Sequence, residues 1–222
     1  MPLIFVPTPL GNLRDITLRS LDMLRDCDLL VAEDSRVARK LLSALQLPGK
    51  PIWSYREQNA RSVTKGIIER ARAQSVAVVT DAGMPGISDP GSQLVSDARA
   101  AGVTVEALPG PSTVPAAALL SGFPCGRFIF EGFAPRARSA RRSRLRASFA
   151  CGCVGIWYES PHRIFAMLDD VAEVDRDAEV FLLREYTKLH EEQLWGTAQE
   201  VRSALAEPVR GEITLVVFPS KR

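Results

Sequence analysis

The stretch Thr80-Asp81-Ala82-Gly83-Met84-Pro85-Gly86-Ile87-Ser88-Asp89-Pro90-Gly91 most constrains how this chain can fold. It follows an apolar run, Val76 to Val79, and precedes a helical pattern that puts Leu94, Val95, Ala98 and Ala101 on one face. Glycine and proline dominate it, so backbone rather than side chains sets its conformation. A rigid turn joining a buried strand to a helix is the joint of an α/β unit, and in such folds small molecules bind at strand exits.

The same pattern recurs along the first half. Leu3 to Val6 reads as a strand, followed by the turn Pro7 to Asp15, with Asp15 placed to cap a helix through Leu18, Leu21 and Leu24. Asp28 to Glu33 is a second strand, and Asp34 can cap a helix over Ser35 to Leu45. Pro51 to Tyr55 is a short strand, Val63 to Ala73 a helix with Ile67 and Ile68 inward, and Val103 to Leu108 a further strand. Strands alternating with helices predict a parallel sheet covered on both faces. Gly122-Phe123-Pro124-Cys125-Gly126 marks a boundary, giving an α/β domain over 1–122 and a mixed α/β domain over 123–222. The second half reads as strands at Arg127–Glu131, Cys153–Tyr158, Glu179–Arg184 and Ile213–Phe218, with helices over the arginine-rich segment, His162–Val174 and Gln199–Leu205.

Composition narrows the function classes. The 222 residues are 46% hydrophobic and 24% charged, ample for a buried core. A net charge of +2 conceals a local basic run: Arg136, Arg138, Arg141, Arg142, Arg144 and Arg146, with no acid among them. Such a run is by default a solvated face; placed beside a binding cleft it would contact phosphates. Four cysteines in a chain of this length make no disulfide framework; Cys151-Gly-Cys153 could suggest a metal, but with no second ligand pair and two histidines the thiols read first as reduced core or surface residues. No apolar run reaches membrane-spanning length and the first residues do not read as a secretory leader, so a cytoplasmic protein without metal or membrane partner is expected.

Three Gly/Pro turns follow apolar strands: Pro7-Thr8-Pro9-Leu10-Gly11-Asn12, the segment 80–91, and Pro109-Gly110-Pro111-Ser112. In a parallel sheet their exits lie along one edge and can converge. Each alone is more readily a tight turn than a site; three together favour a site. None carries a Walker phosphate loop, and no Gly-x-Gly-x-x-Gly follows the first strand. The turns hold no lysine and only Arg14 as arginine, so a ligand here should bear little negative charge, as an adenosine without phosphates does.

Val6-Pro-Thr-Pro-Leu-Gly-Asn-Leu-Arg-Asp-Ile-Thr17, Ala32-Glu-Asp-Ser-Arg36, Asp81-Ala-Gly-Met-Pro-Gly-Ile-Ser-Asp-Pro-Gly91, Leu108-Pro-Gly-Pro-Ser112 and Tyr158-Glu-Ser-Pro-His-Arg163 occur in this order. Together they resemble the ribosomal RNA small-subunit methyltransferase I family of the tetrapyrrole methylase superfamily, from the first strand to Gly211-Glu212-Ile213. The resemblance implies a two-domain α/β fold with S-adenosylmethionine (SAM) in a cleft between the halves, a homodimer, and methylation of a cytidine ribose 2′-hydroxyl in small-subunit ribosomal RNA. It implies cofactor contacts from Leu10, Ala82, Gly83, Met84, Ile87, Ser112 and Thr113, and from Tyr158, Glu159, Tyr186 and Ile213. For Ile87 and Ile213, ordinary core packing is an equal reading. RNA contacts are expected from Arg136, Arg138, Arg141, Arg142 and Arg144, with Arg36, Arg39, Arg163 and Lys188 in addition.

The sequence departs from the family pattern in three places. Met84 stands where threonine is usual, Tyr55-Arg56-Glu57-Gln58-Asn59 replaces a histidine-containing segment, and the helical extension of many members is missing after Arg222. Methyl transfer from a sulfonium needs alignment above all, which supplies roughly 7–11 kcal/mol in favourable cases. A base to assist the hydroxyl can be sought among Glu33, Asp34, Glu159, Glu185, Lys188 and His162; each is more readily a structural residue, Glu159 and Lys188 stand as candidates, and none is assigned. Two other functions compete: a methyltransferase acting on a tetrapyrrole or other small molecule, and a non-catalytic RNA-binding relative.

Overall fold

The computed structural model describes residues 2–89 and 91–220; Met1, Pro90 of the 80–91 turn, Lys221 and Arg222 lie outside it. The fold is α/β, in two compact units, Met1–Ser112 and Thr113–Arg222.

The first unit contains β1 (Leu3–Phe5), α1 (Leu18–Asp26), β2 (Leu29–Ala32), α2 (Ser35–Ala44), β3 (Ile52–Ser54), α3 (Ala60–Ala73), β4 (Val76–Val79), α4 (Ser92–Ala100) and β5 (Val105–Ala107). The strands form one sheet in the order β3-β2-β4-β1-β5, and every pairing is parallel. Continuous apolar runs are what such strands require, because helices cover both faces. Leu3, Phe5, Leu29, Val31, Val76 and Val78 pack under α3 and α4 with Ile67 and Leu94. The alternate residues, Val6, Leu30, Ala32, Ala77 and Val79, pack under α1 and α2 with Leu24, Ala38 and Leu42. Each fully buried Leu or Ile contributes about 1.5–3 kcal/mol.

The second unit contains α5 (Thr113–Leu120), β6 (Phe128–Phe133), α6 (Arg138–Ala150), β7 (Val154–Glu159), α7 (Ile164–Val174), β8 (Glu179–Arg184), β9 (Glu192–Thr197), α8 (Ala198–Ala204) and β10 (Ile213–Phe218). Its sheet is mixed, in the order β6-β7-β10-β8-β9, with only β6 and β7 parallel. Trp157, Leu182, Leu215 and Val217 face Leu145, Met167, Leu168 and Val201 of the helices. On the opposite face Ile156, Phe181 and Val216 meet Val114, Ala117 and Ala118 of α5. That burial attaches α5 to the second sheet, so the division between units falls before α5, whereas the Gly122–Gly126 segment follows it.

Two local features differ from the sequence reading. Helix α1 is capped by Thr17, whose hydroxyl accepts from the Ser20 amide at 3.1 Å; Asp15 sits in the preceding 3₁₀ turn. A hydroxyl immediately before the first helical residue reaches the free amides, and Asp15 is too far upstream to do so. Strand β9 has no counterpart in the reading, because Glu192, Gln193 and Gly196 obscure its apolar side and it is an edge strand. Asp34 does cap α2, accepting from the Arg36 amide at 2.8 Å. Thr17→Ala should lower stability by about 1 kcal/mol in urea denaturation, while Asp15→Ala should stay within about 0.5 kcal/mol of the parent.

Candidate functional site

Strands β4, β1 and β5 are neighbours, so the three Gly/Pro turns leave the same edge of the sheet side by side. They also touch. Thr8 and Gly83 pair as a two-bond antiparallel bridge, Thr8 N–H to Gly83 O at 3.0 Å and Gly83 N–H to Thr8 O at 3.1 Å. A β-carbon on Gly83 would lie 2.9 Å from Leu10 Cδ2 and 3.7 Å from the Pro111 carbonyl oxygen. One on Gly110 would lie 2.6 Å from Pro7 Cβ. Gly83 has φ +78°, a left-handed conformation that glycine adopts without strain. Of the residues expected there, Leu10, Ala82, Gly83, Met84 and Ser112 thus gather at one edge, with Gly83 fully enclosed and Ile87 exposed. The Thr8–Gly83 bridge escaped the sequence reading, since nothing local marks a pairing across so many residues.

Beside these turns stands an acidic group. The Asp34 amide donates to Asp81 Oδ1 at 3.1 Å, and the Asp34 carboxylate pairs with Arg36 and Arg56. The Arg36 hydrogen bonds hold Asp34 well below the ordinary carboxylate range. Glu33 behaves oppositely: burial pushes its carboxyl up, the Asp81 and Asp34 charges add to this, and Arg56 opposes it.

In the second unit, Tyr158 and Glu159 at the end of β7, Tyr186 just past β8, and Ile213 at the start of β10 meet at one sheet edge, where Ile213 is in register with Glu159 and Arg184. Thr113 Oγ1 donates to Tyr158 Oη at 3.1 Å, and Phe130 and Phe133 contact the Tyr158 ring edge-on. The Ile213 side chain is 3% exposed and belongs to the core under the helices, so packing accounts for it.

Lys188 is unsuited to be a base. Its ammonium donates to Glu185 and Glu212, each at 2.9 Å. Burial alone would lower its pKa, but these two carboxylates raise it, so the amine stays protonated. Glu185 is held ionised by the same contact and by the Glu212 amide, despite burial. Glu159 uses Oε1 to accept from the Ser160 amide and to pair with Arg163, while its Oε2 is buried with no hydrogen-bond partner among the described residues. His162 lies exposed in the turn before α7.

Within the arginine helix, Arg141 is the one expected phosphate contact that the structure turns inward. Arg141 is 5% exposed and bound to Asp170, itself 1% exposed, so it faces inward. Arg138 and Arg142 share Asp170 and reach Glu173, and Arg144 bonds Glu131. The acids missing from the run come from α7 and β6, so Arg138, Arg141, Arg142 and Arg144 are paired within their own unit. Arg163 is likewise occupied by Glu159 and the Ala134 carbonyl, and Arg36 by Asp34. Arg39, Arg136 and Arg146 are exposed and carry no side-chain ion pair among the described residues. Among the described residues no group of three or more His, Cys, Asp or Glu is placed to hold a metal, and no helix is long and apolar enough to cross a membrane.

A parallel first sheet with clustered strand-exit turns, followed by a mixed second sheet, is the architecture of the tetrapyrrole (corrin/porphyrin) methylases, and the model of that family matches residues 2–202. Among solved structures, a diphthine synthase superposes with TM-score 0.77 at 17% identity, covering 99% of this chain and 90% of that one. A cobalt precorrin-4 methyltransferase of cobalamin biosynthesis gives 0.75 at 19% identity, covering 98% and 94%. At that identity these share the fold alone. Curated relatives go further: a ribosomal RNA small subunit methyltransferase I of Thermotoga maritima is 44% identical over 218 residues, 97% of each chain. One of Bacillus subtilis is 39% identical over 217 residues, 97% of this chain and 74% of its own. The chain therefore belongs to the ribosomal RNA small subunit methyltransferase I family.

Removing the Asp170 carboxylate strands a buried guanidinium. Asp170→Asn should destabilise the protein by about 3 kcal/mol or more, read by chemical denaturation. Burial pushes the Asp170 pKa up, but hydrogen bonds from Arg142, Arg141 and Arg138 more than reverse this, and the net shift is downward. A depressed folded pKa means the stabilisation is present above the unfolded value, near the ordinary 3.8, and is lost as pH falls through the folded value. The gap between parent and Asp170→Asn should accordingly narrow in acid and hold steady above pH of about 5.

Proposed function

We propose that this chain transfers a methyl group from S-adenosylmethionine to a cytidine ribose 2′-hydroxyl in small-subunit ribosomal RNA. The observation that carries the reading is the interlocked edge of the first sheet, where the Thr8–Gly83 bridge joins two of three turns that contain no lysine. This cradle fits the cofactor. Backbone groups approach closely at Gly83, Met84 and exposed Ile87 offer apolar surface, and nothing there is built for phosphates. When bound, SAM supplies an electrophilic methyl on a positive sulfur. Leu10, Ala82, Gly83, Met84, Ile87 and Ser112 would hold it in the first unit. The names of the curated relatives supply the acceptor class.

With Arg141 buried and its neighbours paired, phosphate contacts fall to Arg136 and Arg39, with Arg144 available by exchange of its Glu131 partner. We propose a cytoplasmic homodimer. Leu189, 93% exposed, and Trp195, 62% exposed on an edge strand, provide apolar surface in the second unit that self-association would cover.

Gly83→Val should abolish SAM binding in calorimetry while circular dichroism stays native; unchanged affinity would remove the cofactor from these turns. Labelled SAM with unmodified small ribosomal subunits should yield alkali-resistant ribose methylation, whereas a uroporphyrinogen-type acceptor should take no label; the reverse result would make the tetrapyrrole reading correct. Arg136→Ala and Arg39→Ala should each weaken RNA binding and reduce the slope of log K against log salt by about 0.7–0.9.

A further inference from the structure

We propose that the cavity at the exits of β2 and β3 is the pocket for the acceptor nucleotide, and that Glu33 in its wall takes the proton from the ribose hydroxyl being methylated. This rests on the RNA-methylation reading above and adds the acceptor site and the base to it.

The cavity measures about 630 Å³ and is lined by Glu33, Ser54, Arg56, Glu57, Gln58, Asn59 and Ser88. That is the size of a small-molecule site. Its lining combines carboxylate, hydroxyl, amide and guanidinium groups, the donors and acceptors that match a base edge, a ribose and a phosphate. A macrocycle would need broad apolar walls, and one bearing many carboxylates would be repelled by Glu33 and Glu57. The pocket is also held in shape. Asn59 Oδ1 accepts from the Arg56 amide at 2.7 Å, and Asn59 Nδ2 donates to the Ser54 carbonyl at 3.0 Å. Arg56 Nε and Ser54 Oγ both donate to the Glu33 carbonyl, at 2.9 and 3.2 Å. The exit of β3 is thereby tied to that of β2, which carries the residue that would act.

Position links this pocket to the cofactor turn. Asp81, which contacts the Asp34 amide on the acidic side, is two residues from Gly83, which closes against Thr8 and Leu10 on the other. Two residues span at most about 7 Å, so a methyl donor seated on the turn and an acceptor in the cavity would be adjacent. Glu33 is also the carboxylate best disposed to accept a proton. The groups facing it are Asp34 from its own strand exit, with Arg36 on Asp34; Asp81 from the turn after β4; and Arg56 and Glu57 from the loop after β3. Burial and the two aspartates outweigh Arg56 and raise its proton affinity above that of an ordinary carboxylate. Lys188 and Glu185, by contrast, are committed to each other.

In the step, the ribose oxygen–methyl bond forms as the methyl–sulfur bond breaks, and sulfur leaves as a neutral thioether with the electron pair. The hydroxyl proton passes to the Glu33 carboxylate and from there to solvent.

Glu33→Gln keeps the size and removes the proton acceptor. On unmodified small ribosomal subunits its kcat should fall about 100-fold or more, with the Kd for SAM within about twofold of the parent. The parent's rate should fall on the acid side with a midpoint above that of an ordinary carboxylate, and this limb should vanish in Glu33→Gln. Gln58→Ala, on the cavity wall, should raise KM for the RNA with kcat kept. A Glu33→Gln enzyme with parental kcat and an intact acid limb would overturn the inference while leaving the functional reading in place. So would a rate loss matched by lost SAM affinity, which would make Glu33 a support of the cofactor turn. A parent protein that binds SAM yet methylates no RNA would overturn the functional reading and this inference with it.

Discussion

The two-bond bridge between Thr8 and Gly83 is the contact that gathers the strand-exit turns of the first unit. Two turns that are far apart in the chain become one surface through it, and the third closes on them through Gly110 against Pro7. The arrangement follows from the sheet. Parallel pairing sends the carboxyl ends of β4, β1 and β5 to the same edge, and burial of both faces by helices leaves that edge as the place where backbone groups are free to meet a ligand. A side chain at position 83 would meet Leu10 and require a left-handed residue, so the surface tolerates little change there.

Charge is managed differently in the two units. In the second, a run of arginines is absorbed by Asp170, Glu173 and Glu131, and the innermost pair lies out of solvent. Low exposure makes that pairing obligatory: either partner alone would be a buried uncompensated ion. In the first unit, acids outnumber their cations around Glu33, and burial leaves one carboxyl with raised proton affinity next to a polar cavity. The same physics, desolvation against pairing, thus produces a structural clamp in one place and a carboxyl of raised proton affinity in the other.

Local signals were legible where the residues themselves carried them. Apolar runs at period two and 3.6 located β1, β2, β4, β7, β8 and β10 and most helices, and the Asp34 cap was visible as an aspartate before a helical pattern. The Thr17 cap was masked by the nearby Asp15, and β9 by its polar edge-strand residues. The partners of the arginine run were hidden because Asp170 and Glu173 stand roughly thirty positions downstream on α7 and Glu131 stands upstream on β6, and no one-dimensional pattern reports pairings at such separations. Lys188 looked reactive in sequence and proved to be held between two carboxylates.

What the sequence determined by itself was the alternation of strand, Gly/Pro turn and helix, and with it an α/β fold, because backbone freedom and hydrophobic period act within a few residues. Which turns touch, which arginines are already paired and which carboxylate is pushed upward were decided only by the tertiary structure. Those properties depend on distance and solvent exclusion between segments remote in the chain, and both exist only once the sheets have formed.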